Sequence, residues 1–212
     1  MQLRKTTGVD FTLVSFTLII SLLSLLFVSC ENNQDSPYEK EIKSFRKEKR
    51  AAFLSDASPL DKEERTDFIG LNYYPIDSTF RVKAHFESID SLDKSTFETN
   101  TDRAAEYLNL GTLSFTINDT LCTLSLYKSL DVTDSSLFLP FTDASNGIST
   151  YYSGRYIDIE QSQLGDTVLV DFNKSYNPYC AYSDRYSCPI PPRSNWLTVK
   201  ITAGEKLYKK NH

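Results

Sequence analysis

The stretch that decides the fold is Gly111–Tyr127, GTLSFTINDTLCTLSLY. Apolar and polar residues alternate on both sides of Asn118-Asp119, a pattern typical of two strands that each bury one face. Asn and Asp tolerate the positive φ angles of a two-residue hairpin loop, so this dipeptide marks the turn. The resulting register pairs Ile117 with Thr120, Phe115 with Cys122, and Leu113 with Leu124. We therefore predict an antiparallel hairpin in which Cys122 is a buried core residue rather than a reactive thiol.

The same two-residue period recurs along the rest of the chain. In Phe80–Phe86 apolar residues alternate with charged ones, and His85 falls on the polar face, where we expect a solvated side chain. Further strands are predicted at 137–142, 149–159, 167–173 and 196–202, with turn signals between them. Short strands at this spacing predict a mainly β fold, either an antiparallel β-sandwich or a partly closed β-barrel.

Two helical segments are predicted before the strands. From Tyr38 to Asp56 apolar residues recur close to one helical face, and the remaining positions are mostly charged. Ser58-Pro59 is a second start signal, with a capping serine and a proline at the first helical position, for a short helix that ends before Phe68. Because no internal repeat or second linker follows, residues 38–212 are predicted to form a single β-rich domain.

The composition narrows the classes of function. The chain has 212 residues, 40% of them hydrophobic, which excludes wholesale disorder. Its net charge of −5 offers no basic surface, so we expect no nucleic-acid partner. The two histidines are too few for a three-histidine metal site. We predict neither a metal nor a cofactor.

The N-terminus has the features of an export signal. Arg4-Lys5 precedes the uncharged run Phe11–Val28, and a small residue and a cysteine follow. Phe27-Val28-Ser29-Cys30 resembles a bacterial lipobox, in which the cysteine becomes the lipidated N-terminus of the mature protein, although Phe27 stands where Leu is usual. We predict a lipoprotein-type signal peptide over residues 1–29. An uncleaved membrane-spanning anchor is the alternative.

Residues 30–37 are polar and lack periodicity, which predicts a flexible tether. The expected location is therefore the bacterial cell envelope, on the periplasmic or outer-membrane face, with the membrane contacted through a lipid on Cys30. The acidic domain should be held away from an anionic lipid surface, because like charges repel. The sequence does not predict the oligomeric state.

The candidate functional residues are polar groups within or beside the irregular Pro-rich stretch near the C-terminus. They are Asp143, Arg155, Asp171, Asn173, Asn177 and Glu205. If these side chains converge on one cleft, Asp171 and Glu205 would serve as acid and base, and Arg155 would anchor an anionic group. The favoured interpretation is that the Asp and Asn side chains hydrogen-bond the loop backbone while Arg155 pairs with one carboxylate.

Cys180 and Cys188 enclose a short loop in the same region. In an exported protein a disulfide is the default prediction for such a pair. Free thiols are the main alternative. A zinc site lacks nearby histidines, and a redox motif would have a closer spacing.

Several short motifs are spread over residues 38–206. They are Gly154-Arg155-Tyr156, Asp171-Phe172-Asn173, Tyr176-Asn177-Pro178, Cys180-Ala181, Cys188-Pro189, Pro191-Pro192, Ala203-Gly204-Glu205-Lys206, Pro75, Phe80-Arg81-Val82, Ala84, Phe141-Thr142-Asp143 and Gly147. Together they resemble the signature of DUF1684, a family of domains of unknown function. Tyr179 departs from it, where a second proline is common, as does Arg193-Ser194-Asn195, where an acid and Asn are usual. The resemblance implies a grouping without a mechanism.

The sequence contains no Gly-x-Ser-x-Gly motif, metal-binding histidine pair or phosphate-binding loop. We therefore predict a non-catalytic binding module for a small ligand, a glycan or a protein partner, attached to the envelope by its lipid. The alternative is an envelope hydrolase that uses Asp171 and Glu205, with Arg155 as the substrate anchor.

Overall fold

A computed structural model of the protein describes residues 34–90, 93–130 and 136–208. Its helices are α1 (Pro37–Phe53) and α2 (Lys62–Thr66), and its strands are β1 (Arg81–Ser88), β2 (Lys94–Glu98), β3 (Ala104–Ile117), β4 (Thr120–Ser129), β5 (Ser136–Phe141), β6 (Arg155–Glu160) and β7 (Thr167–Asp171). The predicted signal peptide and Cys30 lie outside the described residues. None of the helices described here is long and apolar enough to cross a membrane.

All strand pairs in the sheet are antiparallel. The strand order is β6-β5-β4-β3-β1-β7, and β2 pairs separately with β3. The sheet curls into a half-barrel that follows an N-terminal helix. The predicted mainly β class is confirmed, and of its two forms the structure has the partly closed barrel.

The central hairpin has the predicted register. Ile117 pairs with Thr120, Phe115 with Cys122, and Leu113 with Leu124. The turn residues Asn118 and Asp119 have φ angles of 48° and 60°, as a two-residue hairpin loop requires. The inward-facing side chains are buried, Cys122 among them. Local alternation was therefore enough to place this part of the sheet.

Two predicted strands are wrong in extent. The strand predicted at 149–159 begins only at Arg155 and ends at Glu160. Asn146 folds the preceding residues into a turn by accepting from the backbone N–H of Asp143 and donating to the carbonyl of Tyr151. Residues 196–202 form no strand, and Trp196 makes only an isolated bridge. Leu197 and Ile201 are nevertheless buried. The alternation of apolar and polar residues there reflects which side chains are buried, and the segment does not pair as a strand.

The second helix begins later than predicted. Asp61, not Ser58, is its N-cap, and Asp61 and Glu64 form a reciprocal capping box. The Ser58 hydroxyl instead accepts from the backbone N–H of Leu60 at 3.1 Å. Strand β2 was not predicted, because Phe97 is its single buried residue and gives no periodic signal.

The main core fills the concave side of the sheet. Its fully covered side chains include Ala84, Leu113, Leu124, Leu126, Leu137, Leu139, Phe141, Val168 and Val170. Residues 172–206, called the C-terminal segment below, contribute Phe172, Leu197, Ile201 and Ala203 to the same cluster. The C-terminal segment is thus irregular in backbone but part of the core, and this position buries its polar groups.

Candidate functional site

Arg155, the first residue of β6, is completely buried. Its Nη2 donates to Asp143 Oδ2 at 2.8 Å and to the carbonyl of Ile201 at 3.0 Å. Its Nη1 donates to the carbonyls of Ala203 at 2.5 Å and Glu205 at 3.1 Å. Burial lowers the pKa of Arg155, and the charge of Asp143 opposes that shift. Arg155 therefore fixes three carbonyls of the C-terminal segment.

Asp171 ends β7 and joins it to helix α1. Its Oδ1 accepts from the backbone N–H of Asn173 at 3.0 Å and from the hydroxyl of Tyr38 at 3.0 Å. Burial, followed by the charge of Asp171, raises the pKa of Tyr38, which keeps this hydroxyl a donor. Asn173 also accepts from the backbone N–H of Asp77 at 2.9 Å. The nearby cation is Arg81, whose Nε lies 3.9 Å from Asp171 Oδ2.

Glu205 lies at the centre of a third buried cluster. Its Oε2 accepts from the backbone N–H of Asn177 at 3.1 Å, and its Oε1 accepts from Asn177 Nδ2 at 3.0 Å and from the hydroxyl of Tyr182. Burial raises the pKa of Glu205 to about 7, although these hydrogen bonds and the charge of Lys49 lower it. Burial therefore favours the protonated form of this carboxyl group.

The backbone before this carboxylate requires a glycine. Gly204 has a φ of +74°, and a Cβ there would overlap the hydroxyl of Ser175 and lie 2.5 Å from the carbonyl of Phe172. The tight approach lets the backbone N–H of Glu205 donate to the carbonyl of Ser175 at 2.9 Å. The sequence Gly204-Glu205 thus places the acid inside the fold.

Helix α1 lies along the C-terminal segment. Near its start Tyr38 holds the Asp171 cluster. Further along, Lys49 Nζ lies 3.9 Å above the ring centroid of Tyr176. At its end the ring of Phe53 meets that of Tyr182 edge-on, with centroids 4.7 Å apart. The helix therefore covers the two clusters built around Asp171 and Glu205.

The six predicted site residues form three pairs instead of one cleft. The pairs are Asp143 with Arg155, Asp171 with Asn173, and Asn177 with Glu205. The first and third pairs are linked where Arg155 binds the carbonyl of Glu205. Among the described residues, the carboxylates of Asp171 and Glu205 share no hydrogen-bond partner. The favoured interpretation, internal hydrogen bonding, agrees with these contacts.

An open cleft of about 490 Å³ lies next to the third pair. It is lined by Asp61, Glu64, Tyr182, Ser183, Asp184 and Arg185. Tyr182 connects the two features, because it lines the cleft and its hydroxyl donates to Glu205. Arg185 fixes the wall by donating to the carbonyl of Pro59 at 3.0 Å. In the described part of the chain, no three or more His, Cys, Asp or Glu side chains are grouped so that they could hold a metal ion.

Comparison with protein families gives one match over most of this architecture. Residues 66–206, which contain all seven strands and the C-terminal segment, match the model of DUF1684, described as a protein of unknown function. The chain belongs to the DUF1684 family. The resemblance predicted from the sequence motifs is thereby confirmed.

This DUF1684 protein is also similar to a solved structure, the solution NMR structure of the uncharacterized protein from gene locus rrnAC0354 of Haloarcula marismortui. The two are 38% identical, with a TM-score of 0.64, and the match covers 80% of this chain and 94% of that one. No curated protein matches the chain. Neither description names an activity.

The predicted disulfide of this DUF1684 protein is not present in the structure. Cys180 and Cys188 are free thiols, and both are buried. The backbone N–H of Cys180 donates to Cys188 Sγ at 3.2 Å, so the two residues meet through hydrogen bonds instead of a covalent bond. The alternative of free thiols describes the pair, and the disulfide prediction is corrected accordingly.

Sequence reasoning missed a fourth buried polar contact in this DUF1684 protein. Asn195 has no exposed surface, and its amide accepts from the backbone N–H of Ser125 at 2.9 Å. It also donates to the carbonyls of Ser125 at 2.9 Å and Pro140 at 2.7 Å. The sequence feature that could have indicated this contact is a single Asn directly before a stretch in which apolar and polar residues alternate. Tyr182 was missed as well, because nothing in its neighbourhood predicted its contact with Glu205.

Proposed function

We propose that this DUF1684 protein is a lipid-anchored, non-catalytic binding module of the bacterial cell envelope, with a small polar ligand, a glycan or a protein segment as its partner. One observation carries the proposal: the charged groups best suited to catalysis are buried and bonded within the fold, while a separate cleft is open. Arg155 and Glu205 have no more than 1% of their surface exposed.

The size of the cleft supports binding. Its volume of about 490 Å³ falls within the range of small-molecule pockets. Its lining is mostly charged, whereas pockets for drug-like molecules are mostly apolar. Three acids and one arginine instead suit a hydroxylated or cationic group.

The hydrolase alternative has less support. A glycosidase requires two carboxyl groups about 5–10 Å apart across an open cleft. Asp171 is buried beneath Tyr38, and Glu205 is buried against Tyr182. Arg155 has no exposed surface with which to anchor a substrate. A reaction at these residues would first require removal of helix α1 or of the loop that carries Tyr182.

The proposed binding is tested by paired native and denaturing mass spectra of residues 31–212, produced in an oxidising compartment. We expect extra mass in the native spectrum that disappears on denaturation, and Asp184→Asn should reduce it because Asp184 lines the cleft. Asp166→Asn, which changes an exposed acid outside the cleft lining, is the matched control. Extra mass that Asp184→Asn leaves unchanged would place binding elsewhere, and a bare protein would favour a protein partner or a structural role.

The proposed anchor has a separate test. Cys30→Ser should leave the precursor without lipid, because the thiol is the acceptor of the diacylglycerol group in a lipobox. Metabolic labelling with a radioactive fatty acid measures this directly, and Cys122→Ser is a control that should keep its label. Normal labelling of the Cys30→Ser protein would refute the anchor without affecting the cleft.

A further inference from the structure

Helix α1 concentrates positive charge in an otherwise acidic chain. Its 17 residues include six basic and three acidic side chains, which give a net charge of +3, whereas the whole chain has a net charge of −5. The residues outside the helix therefore carry all of the negative excess. A uniformly acidic surface would be repelled by anionic lipids on every side, and this surface is not uniform.

Four of the basic residues form a stripe along one side of α1. The basic stripe consists of the exposed residues Lys40, Lys43, Lys47 and Arg50. They follow one another at intervals of three or four positions, so they are neighbours on the helix surface. The side of the helix that packs on the domain is a different one, and it carries the buried residues Ile42 and Phe53.

The acidic residues of the helix leave the stripe positive. Glu41 lies on another side, where its Oε1 accepts from Lys174 Nζ at 2.7 Å. Glu48, about two turns further along, lies on the same side as Glu41. Glu39 is the acid next to the stripe, one turn before Lys43. The four basic residues together with Glu39 therefore have a net charge of +3.

Two exposed apolar side chains border the stripe at its far end. Leu54 continues it by one turn, because the backbone N–H of Leu54 donates to the carbonyl of Arg50 at 3.2 Å. Ile69 is held beside Arg50, whose Nε donates to the carbonyl of Ile69 at 3.4 Å. Leu54 is 43% exposed and Ile69 is 79% exposed. Apolar side chains next to basic ones are typical of surfaces that lie in the headgroup region of a membrane.

The position of the stripe in the chain places it close to the proposed lipid. Helix α1 begins at Pro37, seven residues after Cys30. A chain of that length spans at most about 25 Å even when it is fully extended. A lipid on Cys30 would therefore keep the stripe at a high local concentration near the headgroups.

We propose that the basic stripe, together with Leu54 and Ile69, is a docking surface for the anionic phospholipid headgroups of the membrane that holds the anchor. These headgroups attract the stripe and repel the acidic remainder of the domain, so the domain lies with α1 towards the membrane. One face is attracted, in place of the repulsion expected for the domain as a whole. The inference rests on the proposed anchor for its location, and the surface itself is tested without the lipid.

The first test uses residues 31–212, which lack Cys30 and include the compact unit Pro37–His212. The probes are phosphatidylcholine vesicles with and without about one-third phosphatidylglycerol, and bound protein is measured by sedimentation. Binding should require phosphatidylglycerol and should fall about tenfold or more when the salt concentration is raised from about 0.05 M to about 0.5 M. Binding that does not depend on phosphatidylglycerol, or no binding to either vesicle, would overturn the proposal.

A pair of double variants locates the surface. Lys43→Gln combined with Lys47→Gln should weaken binding roughly tenfold, because each removes a positive charge from the stripe. Lys94→Gln combined with Lys200→Gln is the matched control, since it changes the net charge equally at exposed positions in β2 and in the C-terminal segment. The control should bind as the unmodified protein does. An equal loss in both double variants would mean that only the net charge matters, which would overturn the proposal.

A second test uses the mature protein lipidated at Cys30 and inserted into the same two kinds of vesicle. A water-soluble reagent acetylates exposed lysines, and peptide mapping gives the rate at each site. Lys43 and Lys47 should react about threefold or more slowly when phosphatidylglycerol is present, whereas Lys94 and Lys200 should react equally in both vesicles. Equal rates for Lys43 and Lys47 would overturn the docking surface. A chain that carries no lipid at Cys30 would refute the anchor alone, and the vesicle sedimentation then decides the surface.

Discussion

The β3–β4 hairpin and the C-terminal segment are both buried in one core, but they are held there by different forces. In the hairpin, Leu113, Leu124 and Leu126 are fully covered and contribute by removing apolar surface from water. In the C-terminal segment the decisive groups are polar. Glu205 is held there by directed hydrogen bonds from Asn177, and Arg155 of β6 donates to backbone carbonyls of the same segment.

This difference determines how each region tolerates change. Apolar burial is non-directional, so a hydrophobic side chain of similar volume keeps most of the stabilisation. A buried polar contact contributes little net free energy when complete, yet it is costly when one partner is lost, because the other partner remains desolvated and unpaired. The C-terminal segment should therefore be the more fragile region, residue for residue.

The largest effect is expected for Arg155→Met. The substitution leaves Asp143 as an uncompensated buried charge and frees three carbonyls, so the free energy of unfolding should fall by about 4 kcal/mol. Urea denaturation followed by circular dichroism measures the loss. Adding Asp143→Leu should recover part of it, since no buried charge then remains. A loss below 1 kcal/mol would remove the contrast between the two regions.

Leu124→Ala is the matching test in the hairpin. The side chain is fully buried opposite Leu113, so its truncation should leave a cavity and cost about 3 kcal/mol. The same urea titration applies. Leu121→Ala is the control, because Leu121 is 74% exposed on the same strand and should change stability by less than about 0.5 kcal/mol. A larger loss here than for Arg155→Met would reverse the proposed order.

A smaller, pH-dependent effect is expected at Glu205. Burial raises its pKa from the ordinary value of 4.5 to about 7, so the folded state prefers the protonated acid. The stability it contributes is therefore complete below about pH 4.5 and is lost as the pH rises through 7. Glu205→Gln cannot ionise, and its melting temperature should fall less between pH 5 and pH 8.5 than that of the unmodified protein.

The control for this comparison is Glu98→Gln, which alters an exposed acid in β2. Thermal melts across the same pH range should show the slope of the unmodified protein. If Glu205→Gln also keeps that slope, the carboxyl group of Glu205 in the unmodified protein is ionised throughout this pH range. Burial then does not raise its pKa to about 7.

The smallest effect is expected for Cys122→Val. The side chain packs in the sheet core, and the swap nearly conserves volume, so the free energy of unfolding should change by less than about 1 kcal/mol. The urea midpoint is sufficient to check this. A loss as large as that of Leu124→Ala would mean that the thiol contact with the carbonyl of Thr120 matters more than packing.

The sequence predicted the parts of the fold that depend on neighbouring residues. The hairpin register followed from alternation and one dipeptide, Asn118-Asp119. Strand β2 was missed because only Phe97 is buried there. Residues 196–202 were misassigned, because an irregular segment can bury every second side chain without strand pairing. The periodicity of apolar residues shows which side of a segment is buried. It does not show whether that segment pairs as a strand or what packs against it.

The sequence predicted which residues form the candidate site, but for most of them it did not predict which residues they contact. Arg155 was expected to pair with one carboxylate, and Asp143 is that partner. The pairing of Asp171 with Tyr38 and the contact of Glu205 with Tyr182 had no local signal, because short polar contacts depend on how distant backbone segments are placed. The open cleft likewise combines residues from α2 and the C-terminal segment.

The contact between helix α1 and the Asp171 cluster also has a consequence for the order in which the chain can fold during synthesis. Tyr38 and Asp171 are 133 positions apart, so the ribosome makes the helix long before it makes the surface on which the helix lies. Until then the apolar face around Ile42 and Phe53 is uncovered. Docking of the first helix must therefore be a late event in folding, because it requires both β7 and the C-terminal segment to have been made.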